Sequence, residues 1–190
     1  MGVRWLQKWR SDWNLDTYAF FSIRDFYGKL PFENGGIVDL YRNYYGAGSR
    51  LTHLKTIKNI SHQWQLGMEA ASQSDQRDRF LNQKGIQGAS VFSQQERFDS
   101  FGLYILDELK ADQWLLRSSL RFDHQTLGAD TIVESQTYSV INPSLGFSYL
   151  LSDNKTLFFN VSTSYETPAL SELSANPSGA EGFNLTLEPS

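Results

Sequence analysis

The chain contains no cysteine, which excludes disulfide frameworks, thiol catalysis and cysteine-based zinc sites. It also lacks any long apolar run, and its mean hydropathy is -0.42, so a helical membrane protein is excluded. A formal net charge of -4 at pH 7 argues against a surface that binds nucleic acid. These absences do not exclude strands that cross a membrane, because alternating strands average out in hydropathy.

Motifs of enzyme chemistry are missing as well. The chain has no nucleophile-elbow, phosphate-loop or dinucleotide motif. His53, His62 and His124 lie on three different predicted strands without metal-binding spacing, so we interpret them as strand residues and not as ligands. Asp107 and Glu108 are adjacent and therefore point to opposite faces of a strand, which prevents a facing acid and base. The sequence predicts no catalytic, metal or cofactor site and no enzyme activity.

What the chain has is alternation of apolar and polar residues over stretches of about ten residues. The clearest stretch is 60–71, where only His62 breaks the pattern. The apolar sets on the four clear stretches are Ile60, Trp64, Leu66, Met68 and Ala70; Trp114, Leu116, Leu120 and Phe122; Ile141, Leu145, Phe147, Tyr149 and Leu151; and Leu157, Phe159, Val161 and Tyr165. A period of two predicts strands. The stretch 13–26 is less regular, because Tyr18 and Phe20 fall on its polar side, and 44–55 and 98–109 are ambiguous in phase.

The connections between these stretches alternate in length. Short ones lie near 10–12, 56–59, 110–112 and 152–154, and long ones near 27–43, 72–97, 125–137 and 167–183. A transmembrane antiparallel β-barrel has this pattern, with short periplasmic turns and long extracellular loops. We therefore predict an all-β fold of about seven strands plus a partial one at the N-terminus. A soluble β-sandwich gives no reason for the ordered alternation.

Aromatic residues make up 14% of the chain, and many fall near predicted strand ends. They are Trp5, Trp9, Trp13, Tyr44, Tyr45, Trp114 and Tyr138. Interfacial girdles of a barrel and the general preference of aromatics for strands explain this equally well. Pro143 lies inside a predicted strand, where we expect a bulge or the outer end of the strand.

Two groups of charges are candidates for function. Asp75, Arg77, Asp78 and Arg79 lie at the root of a long predicted loop; we favour a salt-bridge network that anchors the loop over capture of a ligand. Arg117 and Arg121 share a predicted lumen face with Asp123. Those arginines could guide an anionic ligand, because a walled channel focuses the electric field, or they could be paired charges inside the barrel.

Four blocks of sequence resemble the barrel region of TonB-dependent outer-membrane receptors, especially receptors for ferric siderophores. They are FSIRDFY at 21–27 with GGIVDLYR at 35–42; LGME at 66–69 with DQRDRF at 75–80 and NQKG at 82–85; FGLYILDE at 101–108 with WLLRSSLRFD at 114–123; and NPSLGF at 142–147 with FNVSTSYETP at 159–168. The last block is the most specific, because its order, spacing and position before a long predicted loop all match. The resemblance covers essentially the whole chain.

This resemblance implies TonB-dependent uptake of a ferric siderophore or a similar scarce nutrient across the outer membrane of a Gram-negative bacterium. The implied partners are the ligand, outer-membrane lipid, and the TonB complex acting through a plug region. Residues 1–190 match neither the plug, the signal peptide nor the C-terminal strand of the family, so we expect a partial barrel domain of a wall with about 22 strands. No matched motif is a ligand motif, and the substrate-binding residues stay unknown. A passive porin or adhesin-like barrel and a soluble β-sandwich binding module remain alternatives.

Overall fold

The structure is a computed structural model that describes residues 1–130 and 135–173, together with Asn184 and Leu187. It contains one antiparallel sheet of eight strands in chain order. The strands are β1 (Gly2–Lys8), β2 (Trp13–Lys29), β3 (Ile37–Ile57), β4 (Ile60–Gln83), β5 (Ile86–Ala111), β6 (Trp114–Ala129), β7 (Gln136–Ser152) and β8 (Lys155–Ser162). One short helix, α1 (Leu170–Leu173), follows them. The all-β antiparallel prediction and the number of strands are confirmed.

Every strand pairs with the next strand along the chain. Among the described residues, β1 pairs only with β2 and β8 only with β7, so this sheet is open at both edges. No helix in the described part of the chain is long and apolar enough to cross a membrane.

Tight turns connect the strands at one end of the sheet. Lys58 and Asp112 have positive φ angles of 55° and 43° in the turns β3–β4 and β5–β6, a conformation that short turns often require. The predicted short connections are therefore confirmed at this end of the strands.

At the opposite end of the sheet the strands are longer than predicted, because segments expected to be loops are strands. β2 ends at Lys29 and β3 begins at Ile37, and a turn of only Lys84 and Gly85 connects β4 with β5. The bounds 27–43 and 72–97 were therefore wrong as loops. Both faces are polar over much of 72–97, so no apolar alternation marks the strands there. We call residues 22–44 and 73–98 the outer arm.

The other two predicted long loops are only partly described. β6 continues to Ala129 and β7 starts at Gln136, while 131–134 lie outside the described residues. Of the segment 167–183, the structure describes residues up to Leu173, and the prediction for the remainder lies outside the described residues.

The register assigns every strand position to one of two faces, because directly opposed residues in antiparallel strands point to the same side. One row joins Leu51, Leu66, Ile105 and Leu120 across β3 to β6. The row beside it joins Arg50, Gly67, Tyr104 and Arg121. We call these the apolar face and the polar face. The register confirms the faces predicted for 60–71, 114–123 and 141–151 and settles the phases of β3 and β5.

The apolar face is open to its surroundings. Leu66, Ile105 and Leu120 are 44%, 50% and 47% exposed. Few apolar side chains are buried among the described residues, and no second sheet covers this face there. A soluble β-sandwich would cover such a face with a second sheet, whereas a membrane wall exposes it to lipid.

Tyr18 and Phe20, which broke the predicted pattern, lie on the polar face opposite Gly48 and Gly46. A Cβ added at Gly48 would lie 2.7 Å from the Tyr18 ring, and one at Gly46 would lie 2.8 Å from the Phe20 ring. The two rings therefore occupy the space that side chains at these glycines would need. This packing gives the aromatic residues a place on an otherwise polar surface.

Pro143 lies in the middle of β7, opposite Leu120, without a bulge, so the expected bulge or strand end is wrong. Its carbonyl oxygen accepts a hydrogen bond from the Thr163 N–H at 3.2 Å, just beyond the last pair of β7 with β8. Both backbone groups of a strand residue point to the same neighbour. The missing N–H of proline therefore falls where the pairing with β8 ends, and the ladder with β6 stays intact.

Candidate functional site

The middle of the polar face carries two groups of ion pairs. In the first, Asp16 on β2 accepts hydrogen bonds from Arg4 at 2.8 and 2.7 Å and from Arg50 at 2.8 Å. The three residues come from three neighbouring strands, and Arg4 and Arg50 remain substantially exposed. The carboxylate thus ties β1 to β3 across β2.

The second group centres on Arg121 of β6. Its guanidinium donates to Asp123 at 2.6 to 2.9 Å and reaches Glu69 on β4 at 2.5 Å. The Tyr18 hydroxyl donates to the same Glu69 at 3.3 Å, and the guanidinium lies 5.9 Å from the centre of the Tyr104 ring. The two groups together hold three arginines and three carboxylates, so the middle of this face is close to neutral.

Arg117 is also paired: it donates to Glu108 on the neighbouring strand. The structure therefore places Arg117, Arg121 and Asp123 on one face, as predicted, but gives both arginines carboxylate partners. This part of the polar face therefore carries paired charges and not free arginines that could guide an anion.

The outer arm has a buried network on the same face. Arg42 donates to Asp75 at 2.8 and 2.6 Å, and Arg77 donates to Glu96 at 2.9 and 3.0 Å. Asp75 and Glu96 are 0% exposed, and Arg77 is 6% exposed. Gln94 adds a hydrogen bond to Glu96 at 3.1 Å. The hydrogen bond with Asp75 raises the pKa of Arg42, so this guanidinium stays charged.

The structure divides the charge cluster that the sequence placed at 75–79. Asp75 and Arg77 form the salt bridges that anchor the arm, which confirms the favoured interpretation. Asp78 lies on the other face, where Gln76 bonds to it. Arg79 shares the polar face but has a buried Nε without a hydrogen-bond partner, and its guanidinium lies 5.6 Å from the Phe92 ring centre.

A short segment after β8 folds over the polar face. Thr167 donates to Gln125 of β6 at 2.7 Å, and the Tyr165 ring lies 6.5 Å from that of Tyr138. Leu170 and Leu173 of α1 pack on Leu127 in a small apolar cluster with partly buried neighbours; these are Phe98, Ala129, Tyr138 and Leu187. β8 ends at Ser162, so the expectation that Tyr165 and Ser164 continue its alternation is wrong.

The histidines do not converge on a site. His53 contacts the rings of Trp13 and Trp64 and lies 3.3 Å from the Asp12 carboxylate, whereas His124 bonds to Ser139 at 2.8 Å. No group of three metal-ligating side chains occurs in the described part of the chain. Asp107 and Glu108 point to opposite faces, as predicted.

A comparison with protein families decides the identity of this two-faced sheet. The family model described as TonB dependent receptor-like, beta-barrel matches residues 2–190. The chain belongs to this family. TonB-dependent receptors are receptors and transporters, not a class of enzymes, and they reside in the outer membrane of Gram-negative bacteria.

Solved structures of this receptor fold superpose on the chain at low sequence identity. The unliganded ferric citrate transporter FecA matches with a TM-score of 0.71 and 18% identity, over 87% of this chain and 27% of FecA. BauA, the ferric preacinetobactin receptor of Acinetobacter baumannii, gives 0.69 and 10%, over 86% and 29%. The copper transporter OprC gives 0.65 and 12%, over 99% and 33%. The chain thus spans about a third or less of the length of each receptor, and the likeness shows the fold alone.

Sequence reasoning missed two parts of this receptor wall. The Arg4–Asp16–Arg50 group was not predicted, because its members come from three strands and the phase of 44–55 was ambiguous. The packing of α1 was not predicted either, although Leu170 and Leu173 have the i, i+3 spacing of one helix face.

Proposed function

We propose that this chain forms part of the wall of an outer-membrane receptor that takes up a ferric siderophore or a similarly scarce nutrient. The family match over residues 2–190 carries the proposal. The open apolar face supports the membrane location, because the outward face of a transmembrane barrel is apolar and contacts lipid. FecA, BauA and OprC bear names for different cargoes, two iron chelates and copper, so the fold leaves the cargo open.

The energy source follows from the chemistry of capture. A large, dilute chelate must be held tightly, and a tight site inside a closed wall needs work to release its ligand. We propose that TonB supplies this work through a plug region, and that residues 1–190 are one part of a larger barrel domain. The neighbouring receptor chains, about three times as long, support this division.

A passive porin is the second candidate, and one observation favours it. Residues after β8 fold against the polar face through Thr167 and Leu173, as an inward constriction of a passive pore would. A porin releases its solute without an energy source, so dependence on TonB separates the two functions.

Uptake of radiolabelled iron–siderophore complexes tests the proposal in a strain that lacks the chromosomal receptor gene and carries the full-length receptor. We expect accumulation with TonB and none without it. Accumulation that persists without TonB supports the porin. Absence of uptake for every siderophore, together with TonB-dependent uptake of another nutrient such as copper or cobalamin, keeps the receptor and removes iron from the proposal.

A further inference from the structure

Two basic side chains face each other on the apolar face near the tight turns. Lys55 on β3 lies directly opposite His62 on β4, the residue that broke the apolar pattern of 60–71. On one side of the pair, toward the middle of the sheet, His53 faces Trp64, and beyond them Leu51 faces Leu66. On the other side, Ile57 faces Ile60 at the turn. The pair is therefore embedded in the apolar face and does not project from the solvated turn.

No ion pair joins Lys55 or His62 to a carboxylate among the described residues. Of the two carboxylates nearby, Asp12 is directed at His53. Asp107 lies opposite Trp64 on the same face, one row nearer the middle of the sheet, and its buried Oδ1 has no hydrogen-bond partner. Basic groups placed directly opposite each other on a strand pair repel when both are charged. A charge on the lipid side of a barrel is tolerated near the membrane interface and costs most at the midplane. The pair is thus expected to lie at the interface, where no ion pair among the described residues engages it.

An aromatic group marks the same level. Trp13, His53 and Trp64 lie in a row of the apolar face adjacent to the Lys55–His62 pair, with ring centres 4.3, 5.0 and 5.1 Å apart. Tryptophan concentrates where the hydrocarbon meets the lipid headgroups. The basic pair lies on the side of this group nearer the turn, which is the depth of the lipid phosphates.

We propose that Lys55 and His62 hold the phosphodiester of a glycerophospholipid from the leaflet that borders the tight turns. The ammonium of Lys55 and an imidazole N–H of His62 donate hydrogen bonds to the phosphate oxygens. The acyl chains of the lipid lie along Leu51 and Leu66. This site rests on the membrane location in the proposed function, but not on the cargo or on TonB.

Lipid binding to the purified full-length receptor tests the site. Delipidated receptor in detergent is titrated with phosphatidylethanolamine, and native mass spectrometry counts the bound lipid. The double variant Lys55→Gln/His62→Asn should bind this lipid roughly ten-fold more weakly. Lys58→Gln, which removes one charge in the adjacent turn, should bind like the unchanged receptor, and Lys55→Arg/His62→Lys should keep most of the affinity.

Each outcome has one meaning. Equal lipid binding by the double variant and the unchanged receptor overturns the site, as does replacement of the lipid by excess inorganic phosphate, which would make the pair a site for free phosphate. Heat-modifiable gel mobility reports whether each variant forms a barrel. If the double variant does not assemble, the Lys55→Arg/His62→Lys variant still decides: loss of lipid binding there, in a folded barrel, also refutes the proposal. An unchanged receptor that forms no barrel refutes the membrane location instead.

Discussion

Removal of Arg77 should destabilise the outer arm far more than removal of a nearby exposed arginine. Arg77 donates two hydrogen bonds to Glu96, and the two residues are 6% and 0% exposed. Arg77→Met leaves the buried Glu96 carboxylate with the hydrogen bond from Gln94 but without the guanidinium of Arg77. Breaking a buried pair in this way costs about 3–5 kcal/mol. The matched control is Arg97→Met in the same strand, β5: Arg97 pairs with Asp99 in a solvated position, and such pairs contribute about 0.2–1 kcal/mol.

Hydrogen exchange measures this difference within the arm. Amide protection reports the free energy of local opening, and about 3 kcal/mol corresponds to a loss of protection of roughly a hundred-fold. Peptides that contain 75–78 and 94–97 should lose protection by this factor in Arg77→Met and by less than about ten-fold in Arg97→Met. Peptides of β6 and β7 in the membrane wall serve as the internal reference.

A double variant tests whether the cost comes from the loss of the Arg77 charge beside the Glu96 carboxylate. Arg77→Met/Glu96→Leu removes both charges, and replacing a buried pair by apolar residues is often neutral. We expect most of the protection to return. If Arg77→Met is as mild as Arg97→Met, water reaches the Glu96 carboxylate and the argument from burial is wrong. If the double variant is as unstable as Arg77→Met, the loss reflects packing and not charge.

Two further predictions concern the faces and the orientation of the wall. Leu66→Arg should impair barrel assembly clearly more than Gln65→Arg in heat-modifiable gel mobility, because arginine on the lipid face near the midplane costs about 2–4 kcal/mol; equal effects would contradict the assigned register. In cells with intact outer membranes, a maleimide that does not cross the membrane should label Ala89→Cys at the outer arm and not Asp153→Cys at a tight turn, and the absence of native cysteine keeps the background low. The reverse labelling would invert the orientation.

The faces of the wall were predictable where the two sides of a strand meet different surroundings. At 60–71, lipid on one side and a wet interior on the other impose a period of two, and the register confirms it. His62 breaks this pattern close to the predicted turn at 56–59, and only the pairing with β3 shows that Lys55 lies opposite it.

The outer arm was not predictable by the same reasoning. Residues 72–83 are polar on both sides in most positions, so the alternation disappears although the strand continues. The arm is held by ladder hydrogen bonds and by pairs such as Arg42 with Asp75, which are 33 residues apart in sequence. A contact of that kind depends on the register of two strands, so it cannot be predicted from the local sequence. The favoured interpretation of Asp75 and Arg77 was nevertheless correct, because buried charges need partners.

Paired and unpaired arginines are distributed unevenly along the polar face. In the middle, Arg121 is matched by Glu69 and Asp123, and Asp16 is matched by two arginines. In the outer arm, by contrast, Arg24 and Arg79 have no ion-pair partner among the described residues, and each guanidinium lies over an aromatic ring instead. Opposite charges in close pairs cancel at a distance, whereas unpaired ones do not. The two unpaired arginines of the polar face thus lie in the outer arm, whereas its middle holds paired charges that largely cancel.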